Sequence, residues 1–101
     1  MAGSKPKAKD LFNALSHAMR RQILRAMLGA RQGEVSPREL ATKLSRHLSA
    51  VSYHVRVLDE CDAIELVRTE QIGGSTQHFY RPIVKADWVL AALEADEGSP
   101  H

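Results

Sequence analysis

SPRELATKLSRHLSAVSYHVRVLDEC, running from Ser36 to Cys61, reads as two short helices joined by a tight turn. Ser36-Pro37-Arg38-Glu39 has the form of a capping box. The Ser hydroxyl takes an orphan amide, Pro fits the first helical position, and Glu39 reaches back. Leu40, Ala41 and Leu44 follow as an apolar stripe of about two turns. After the turn, Val51, Val55 and Leu58 fall at i, i+4, i+7 and predict a buried face. Ser49, Ser52, Tyr53 and Arg56 share another face; all can hydrogen-bond and none is acidic. Small hydroxyls, a phenol and a guanidinium on one exposed stripe suit a nucleic-acid groove.

Downstream of this pair the period changes from 3.6 to 2. IELVRTE alternates Ile64, Leu66 and Arg68 against Glu65, Val67 and Thr69. Ile72-Gly73-Gly74-Ser75 predicts a turn, and TQHFYRP returns as a second strand that Pro82 ends. Residues 64–82 are thus expected to form a hairpin. A last helix is expected over about 84–96, with Trp88, Val89, Ala92 and Leu93 apolar.

Upstream, Asp10 is expected to cap a short helix over about 11–15. Ser16 is expected to open a longer one through Leu28, with Gly29 at its end. Met19, Ile23, Leu24, Met27 and Leu28 carry its apolar periodicity, leaving Arg20, Arg21 and Arg25 outside the stripe. A loop over 29–35 holds one strand-like pair, Glu34-Val35. Residues 1–8 read as a mobile basic tail, 9–96 as one domain and 97–101 as a second tail. The expected class is mainly α with a β-hairpin wing, in the order α-α-(β)-α-α-β-β-α.

A chain of 101 residues supports one modest core and not two. No apolar run is long enough to span a bilayer, and Leu11–Leu15 is too short for a secretory core. The single cysteine, Cys61, excludes an internal disulfide and fits a reducing cytoplasm. The net charge of +2 hides an asymmetry: residues 1–56 carry eleven Lys/Arg against three acids, whereas 57–101 carry three against nine. The basic half contains the helix with the polar stripe, and phosphate neutralisation supplies most non-specific DNA affinity. No nucleophile–base–orienter set, Gly-rich phosphate loop or paired carboxylate suggests an enzyme or a cofactor.

The order of elements, with LFNALSHAMRRQIL, ELATKL, VSYHVRVLDECDAIELV and STQHFYRP in sequence, resembles the winged helix-turn-helix of ArsR-type (arsenic-repressor-like) bacterial transcriptional regulators. The likeness spans roughly Leu11 to Ala95, and STQHFYRP is similar to a return strand of some small actinobacterial-type relatives. The resemblance implies a helix over 48–61 entering the major groove, a hairpin touching backbone or minor groove, and terminal helices forming a homodimer. Two departures stand out. The family's turn reads Gly, apolar, Ser where this chain has Ser45-Arg46-His47, so either Leu48 does the packing or the turn is shifted, and Ser45 or Ser49 takes the capping role. Metal-sensing relatives carry Cys-x-Cys on the third helix or Asp/His and His/Glu pairs on the last. Here the five histidines (17, 47, 54, 78, 101) show no i, i+4 pairing, so no metal site is expected.

The expected contacts to double-stranded DNA are therefore Ser49, Ala50, Ser52, Tyr53 and Arg56 on the reading helix. Lys43 and Arg46 flank it, and Arg68, Gln77 and His78 lie on the hairpin, whose tip has no positive charge. Arg20 and Arg21 would add salt-dependent affinity. His54 is expected beneath the reading helix and Cys61 in the core. Leu11, Phe12 and Leu15 with Trp88, Val89, Ala92 and Leu93 form the expected dimer seam. The function that follows is a sequence-specific, dimeric transcriptional regulator in the cytoplasm, with no pattern that names an effector ligand. The alternative is a winged-helix protein-interaction module without specific DNA binding.

Overall fold

The computed structural model describes residues 8–83, with side chains from Phe12 onward. Four helices precede a hairpin: α1 (Ala8–Leu15), α2 (Ala18–Leu28), α3 (Pro37–Leu44), α4 (Leu48–Glu60), β1 (Ile64–Ile72) and β2 (Ser75–Pro82). The expected last helix over 84–96, with Trp88, Val89, Ala92 and Leu93, lies outside the described residues.

The core lies where α2, α3 and α4 meet the base of the hairpin. Ile23, Leu24 and Met27 of α2, Leu40 of α3, and Val51, Val55 and Leu58 of α4 are all buried, with Ala63 and Ile64 closing the cluster. Each such aliphatic side chain contributes about 1.5–3 kcal/mol when taken fully out of water. The helical periodicities of α3 and α4 are therefore the reason these segments sit as they do. Cys61 is buried with them, and Asn13 Nδ2 donates to its Sγ across 3.6 Å, tying α1 to the end of α4.

Local chemistry sets the boundaries. The capping box at α3 is complete: Ser36 Oγ accepts from the Glu39 amide at 3.2 Å, and Glu39 Oε1 accepts from the Ser36 amide at 3.0 Å. The hairpin turns on Gly73 and Gly74, at φ 56° and 84°, the two positive values that a tight two-residue turn requires. Val35 pairs with Tyr80 through two backbone bonds of 2.9 Å, so the strand-like residue before α3 does add to the hairpin.

Several boundaries differ from the expectation. Asp10 lies within α1 (Ala8–Leu15) and not ahead of it. α2 is capped by His17, whose Nδ1 accepts from the Met19 amide at 3.1 Å; Ser16 instead donates to the Asn13 carbonyl at 2.8 Å. Arg20 is buried, not solvated, because the end of α1 folds over it. α4 opens at His47 with no side-chain cap: Ser45 ends α3 at φ 55°, and Ser49 is already inside the helix. Leu48 does not do the packing in the turn, being 39% exposed. Period-2 alternation in β1 fails after Ile64. Leu66 pairs with Tyr80 and Arg68 with Phe79, so Val67 is an extra residue, and both Leu66 and Val67 are exposed around this bulge.

Candidate nucleic-acid interface

Helix α4 presents Ser49, Ser52, Tyr53 and Arg56 on the side opposite its buried Val51, Val55 and Leu58. All four are exposed, Tyr53 by 59%, and Ala50 is half-buried beside them. The stripe therefore exists as a surface, held by an apolar face that cannot rotate out without exposing the core.

Strand β2 runs along one edge of that stripe and makes a groove with it. Ser52, Leu48, Thr76, Gln77 and His78 line one stretch, under the N-terminus of α3 at Ser36, Pro37 and Arg38. Ser52, Arg56, Asp59, His78 and Tyr80 line the next, a hollow of about 300 Å³. The structure thus brings Ser52, Arg56 and His78 together, as a reading helix beside a wing would. Arg38, Thr76 and Asp59 also belong to this surface and were missed in the sequence. Asp59 could have been found, since 52, 56 and 59 continue one face at i, i+4, i+7. Burial and the nearby Asp62 and Glu60 carboxylates hold the Asp59 carboxyl above its usual range. Burial, and then the Asp59 charge, push the Tyr80 phenol up, with Arg56 opposing.

On the hairpin, polar groups are largely committed to one another. Ser36 Oγ donates to Gln77 Oε1 at 3.1 Å, which ties β2 to the α3 cap. Arg68 pairs with Glu34, and with Glu70 at 2.9 Å, while its guanidinium carbon lies 4.0 Å from the centre of the Phe79 ring. Arg81 pairs with its cross-strand neighbour Glu65 at 2.5 Å. Each arginine of the hairpin therefore has a carboxylate, and Arg68 is not among the residues lining the groove. Lys43 and Arg46 are exposed and share a second, shallow hollow with Gln22, Arg25 and Gly29, on another side of the turn.

Arg20, expected to meet solvent phosphate, is instead turned inward. It donates to the Asn13 and Ala14 carbonyls at 3.1 and 3.3 Å, to Ser16 Oγ at 3.0 Å and to His54 Nδ1 at 3.1 Å. Arg21 adds a bond of 2.7 Å to the Leu15 carbonyl. Two cations thus close the last carbonyls of α1, a placement that stabilises a helix end by about 0.3–1 kcal/mol or more. His54 is buried as expected, with the His17 ring 4.3 Å away and the Tyr53 ring edge-on at 5.1 Å. Burial, His17 and Arg20 lower its pKa from the ordinary histidine value, so its imidazole stays neutral near pH 7. Of the expected seam, Phe12 is 68% exposed and Leu15 half-buried. Among the described residues no group of three or more His, Cys, Asp or Glu could hold a metal ion, and no helix is long and apolar enough to cross a membrane.

A helix-turn-helix domain family matches residues 15–67 of the chain. Solved structures share its fold. The AntR antimony-specific transcriptional repressor is 25% identical with a TM-score of 0.61, over 86% of this chain and 70% of that one. HlyU from Vibrio cholerae N16961 is 27% identical with a TM-score of 0.61, over 89% and 87% of the two chains. The homodimeric winged helix-turn-helix DNA-binding domain of Mb0332 from Mycobacterium bovis is 24% identical with a TM-score of 0.64, over 100% and 95%. No curated protein matches the chain.

Proposed function

The chain belongs to the helix-turn-helix domain family, and from that premise we infer that it is a sequence-specific, dimeric, DNA-binding transcriptional regulator of the ArsR type. The observation that carries this reading is the exposed stripe of Ser49, Ser52, Tyr53 and Arg56 on a helix whose opposite face is locked in the core. Arg56 can fork onto guanine O6 and N7, and the hydroxyls of Ser49, Ser52 and Tyr53 reach base edges or phosphates. Lys43 and Arg46 neutralise phosphates beside the turn, and His78 follows the backbone from the wing. Ala50, half-buried beside the stripe, offers its methyl to a thymine.

Dimerisation would run through α1, with Phe12 as its exposed anchor and Leu11 and Leu15 beside it, joined by Trp88, Val89, Ala92 and Leu93. The homodimeric state of the Mb0332 domain supports a dimer as such. Two reading helices would then meet half-sites about one helical turn apart, on the order of 10 bp. A regulator of this kind works beside the chromosome, and a single cysteine held in the core fits the reducing cytoplasm.

Fluorescence anisotropy with duplex DNA at two salt concentrations tests the reading. Tight binding at low salt, weakened by salt and by Tyr53→Ala or Arg56→Ala, is the expected result. No binding at low salt, or binding indifferent to both substitutions, would sink it.

A further inference from the structure

Arg20 uses four hydrogen bonds to join three parts of the molecule. Nε and Nη2 hold the last carbonyls of α1 and the Ser16 hydroxyl in the turn, and Nη1 reaches His54 on α4. The side chain is 7% exposed, and among the described residues none of its partners is a carboxylate. Burying a charge is costly unless its surroundings are fixed to receive it. Here the negative end of α1 and a lone pair on His54 receive it, so the charge is stabilised only while α1 and α4 keep one relation to each other.

The chemistry of the bond to His54 is one-directional. A guanidinium only donates, so His54 Nδ1 accepts and its proton sits on Nε2. The groups facing this ring are His17 from the turn before α2, Arg20 from α2 and Tyr53 from α4 itself. Tyr53 is a reading residue, and it follows directly on the orientation of His54.

We infer that Arg20 is a positioning residue for DNA recognition: its guanidinium fixes the angle between α1 and the reading helix. Because α1 forms the dimer seam and α4 reads the groove, that angle sets the separation of the two reading helices. The inference rests on the dimeric DNA-binding reading above. Lysine in place of Arg20 keeps the charge and loses the fork that reaches both helices at once. Leucine in place of His54 removes the acceptor on α4 together with the ring contacts to His17 and Tyr53, whereas glutamine there restores an acceptor without the ring, so the pair separates the hydrogen bond from the stacking.

The test has two arms on the full chain. Residual dipolar couplings of the α1 and α4 amides give the angle between the helices in the free protein. Arg20→Lys and His54→Leu are expected to change or average that angle while each helix stays intact, and His54→Gln to restore it. Anisotropy then compares duplexes recovered by selection from a random library, with their half-site spacing kept or altered by two base pairs, and single half-sites. Arg20→Lys is expected to bind the correctly spaced duplex about tenfold more weakly, with less than about a twofold change on a single half-site. An unchanged angle and an unchanged spacing preference in both Arg20→Lys and His54→Leu would overturn the inference. Failure of the unsubstituted protein to bind any duplex would instead remove the regulator reading, and the dipolar couplings alone would decide the helix angle.

Discussion

Ser36 holds Gln77: its Oγ donates to Gln77 Oε1 at 3.1 Å while accepting the Glu39 amide at 3.2 Å. One hydroxyl thus caps α3 and anchors the wing strand to it. Ser36→Ala is expected to cost about 1–2 kcal/mol, since the cap and the tie are lost together. Gln77→Ala should cost less, because only the tie goes. A double-mutant cycle by urea unfolding should return a coupling of about 0.5–1.5 kcal/mol between the two positions. Strict additivity would show that the tie contributes nothing.

Parts of this arrangement were legible in the sequence wherever the determining chemistry is local. The capping box at Ser36–Glu39 and the Gly73-Gly74 turn are each written within four residues, and both stand as expected. The buried faces of α3 and α4 follow from periodicity alone. Helical spacing places Arg20 on a polar side, and only the end of α1, brought back by the Ser16-His17 turn, makes that side an interior. The bulge at Val67 has no local signature, so the alternation that grouped Leu66 with buried Ile64 does not hold along β1. Asp59 lies one turn beyond Arg56 on the same face, where its acidic side chain departs from the uncharged and basic chemistry of the stripe.

The turn before the reading helix yields a second prediction. Ser45 sits at φ 55°, a left-handed conformation that costs a side chain about 1–2 kcal/mol. Glycine relieves this strain and returns about 0.4–1 kcal/mol to the unfolded chain as entropy. Ser45→Gly is therefore expected to be stabilising by about 0.5–1 kcal/mol, read as a raised urea midpoint at unchanged slope. A lowered midpoint would mean that the Ser45 side chain has a role that the conformation does not reveal.

Stability should depend on pH through His54. Burial, then His17 and Arg20, lower its pKa in the folded protein below the ordinary 6.5. The unfolded chain therefore binds more protons than the native one once pH falls through about 6.5. Stability contributed by neutral His54 is complete above that value and is lost as pH falls toward the lowered folded pKa. Urea unfolding between pH 7.5 and 5 should show this decline, and His54→Gln should flatten it. An equal decline in the variant would assign the pH dependence to other groups.

The wing predicts a division of electrostatic labour. Arg68 is paired with Glu34 and Glu70, and Arg81 with Glu65, so these strands bring little free charge to a phosphate. Lys43→Gln and Arg46→Gln should each reduce the slope of log affinity against log salt by about 1. Arg68→Gln should leave that slope nearly unchanged. A loss of about 1 in the slope for Arg68→Gln would place the wing arginine on DNA and show that its ion pairs open on binding.

Asp59 supplies the last test, because it puts a negative charge in the groove beside Arg56, His78 and Tyr80. An acid there repels phosphate along the whole backbone without reading a base. Asp59→Asn should therefore strengthen binding to specific and random duplexes by a similar factor, roughly two- to fivefold at low salt. Arg56→Ala should behave differently, weakening the specific site by about 1–3 kcal/mol and relaxing preference at one base pair. Competition anisotropy with a panel of single-base variants separates the two patterns. If Asp59→Asn altered base preference at one position instead, Asp59 would be a reading residue, accepting from a cytosine amine rather than tempering the charge of the groove.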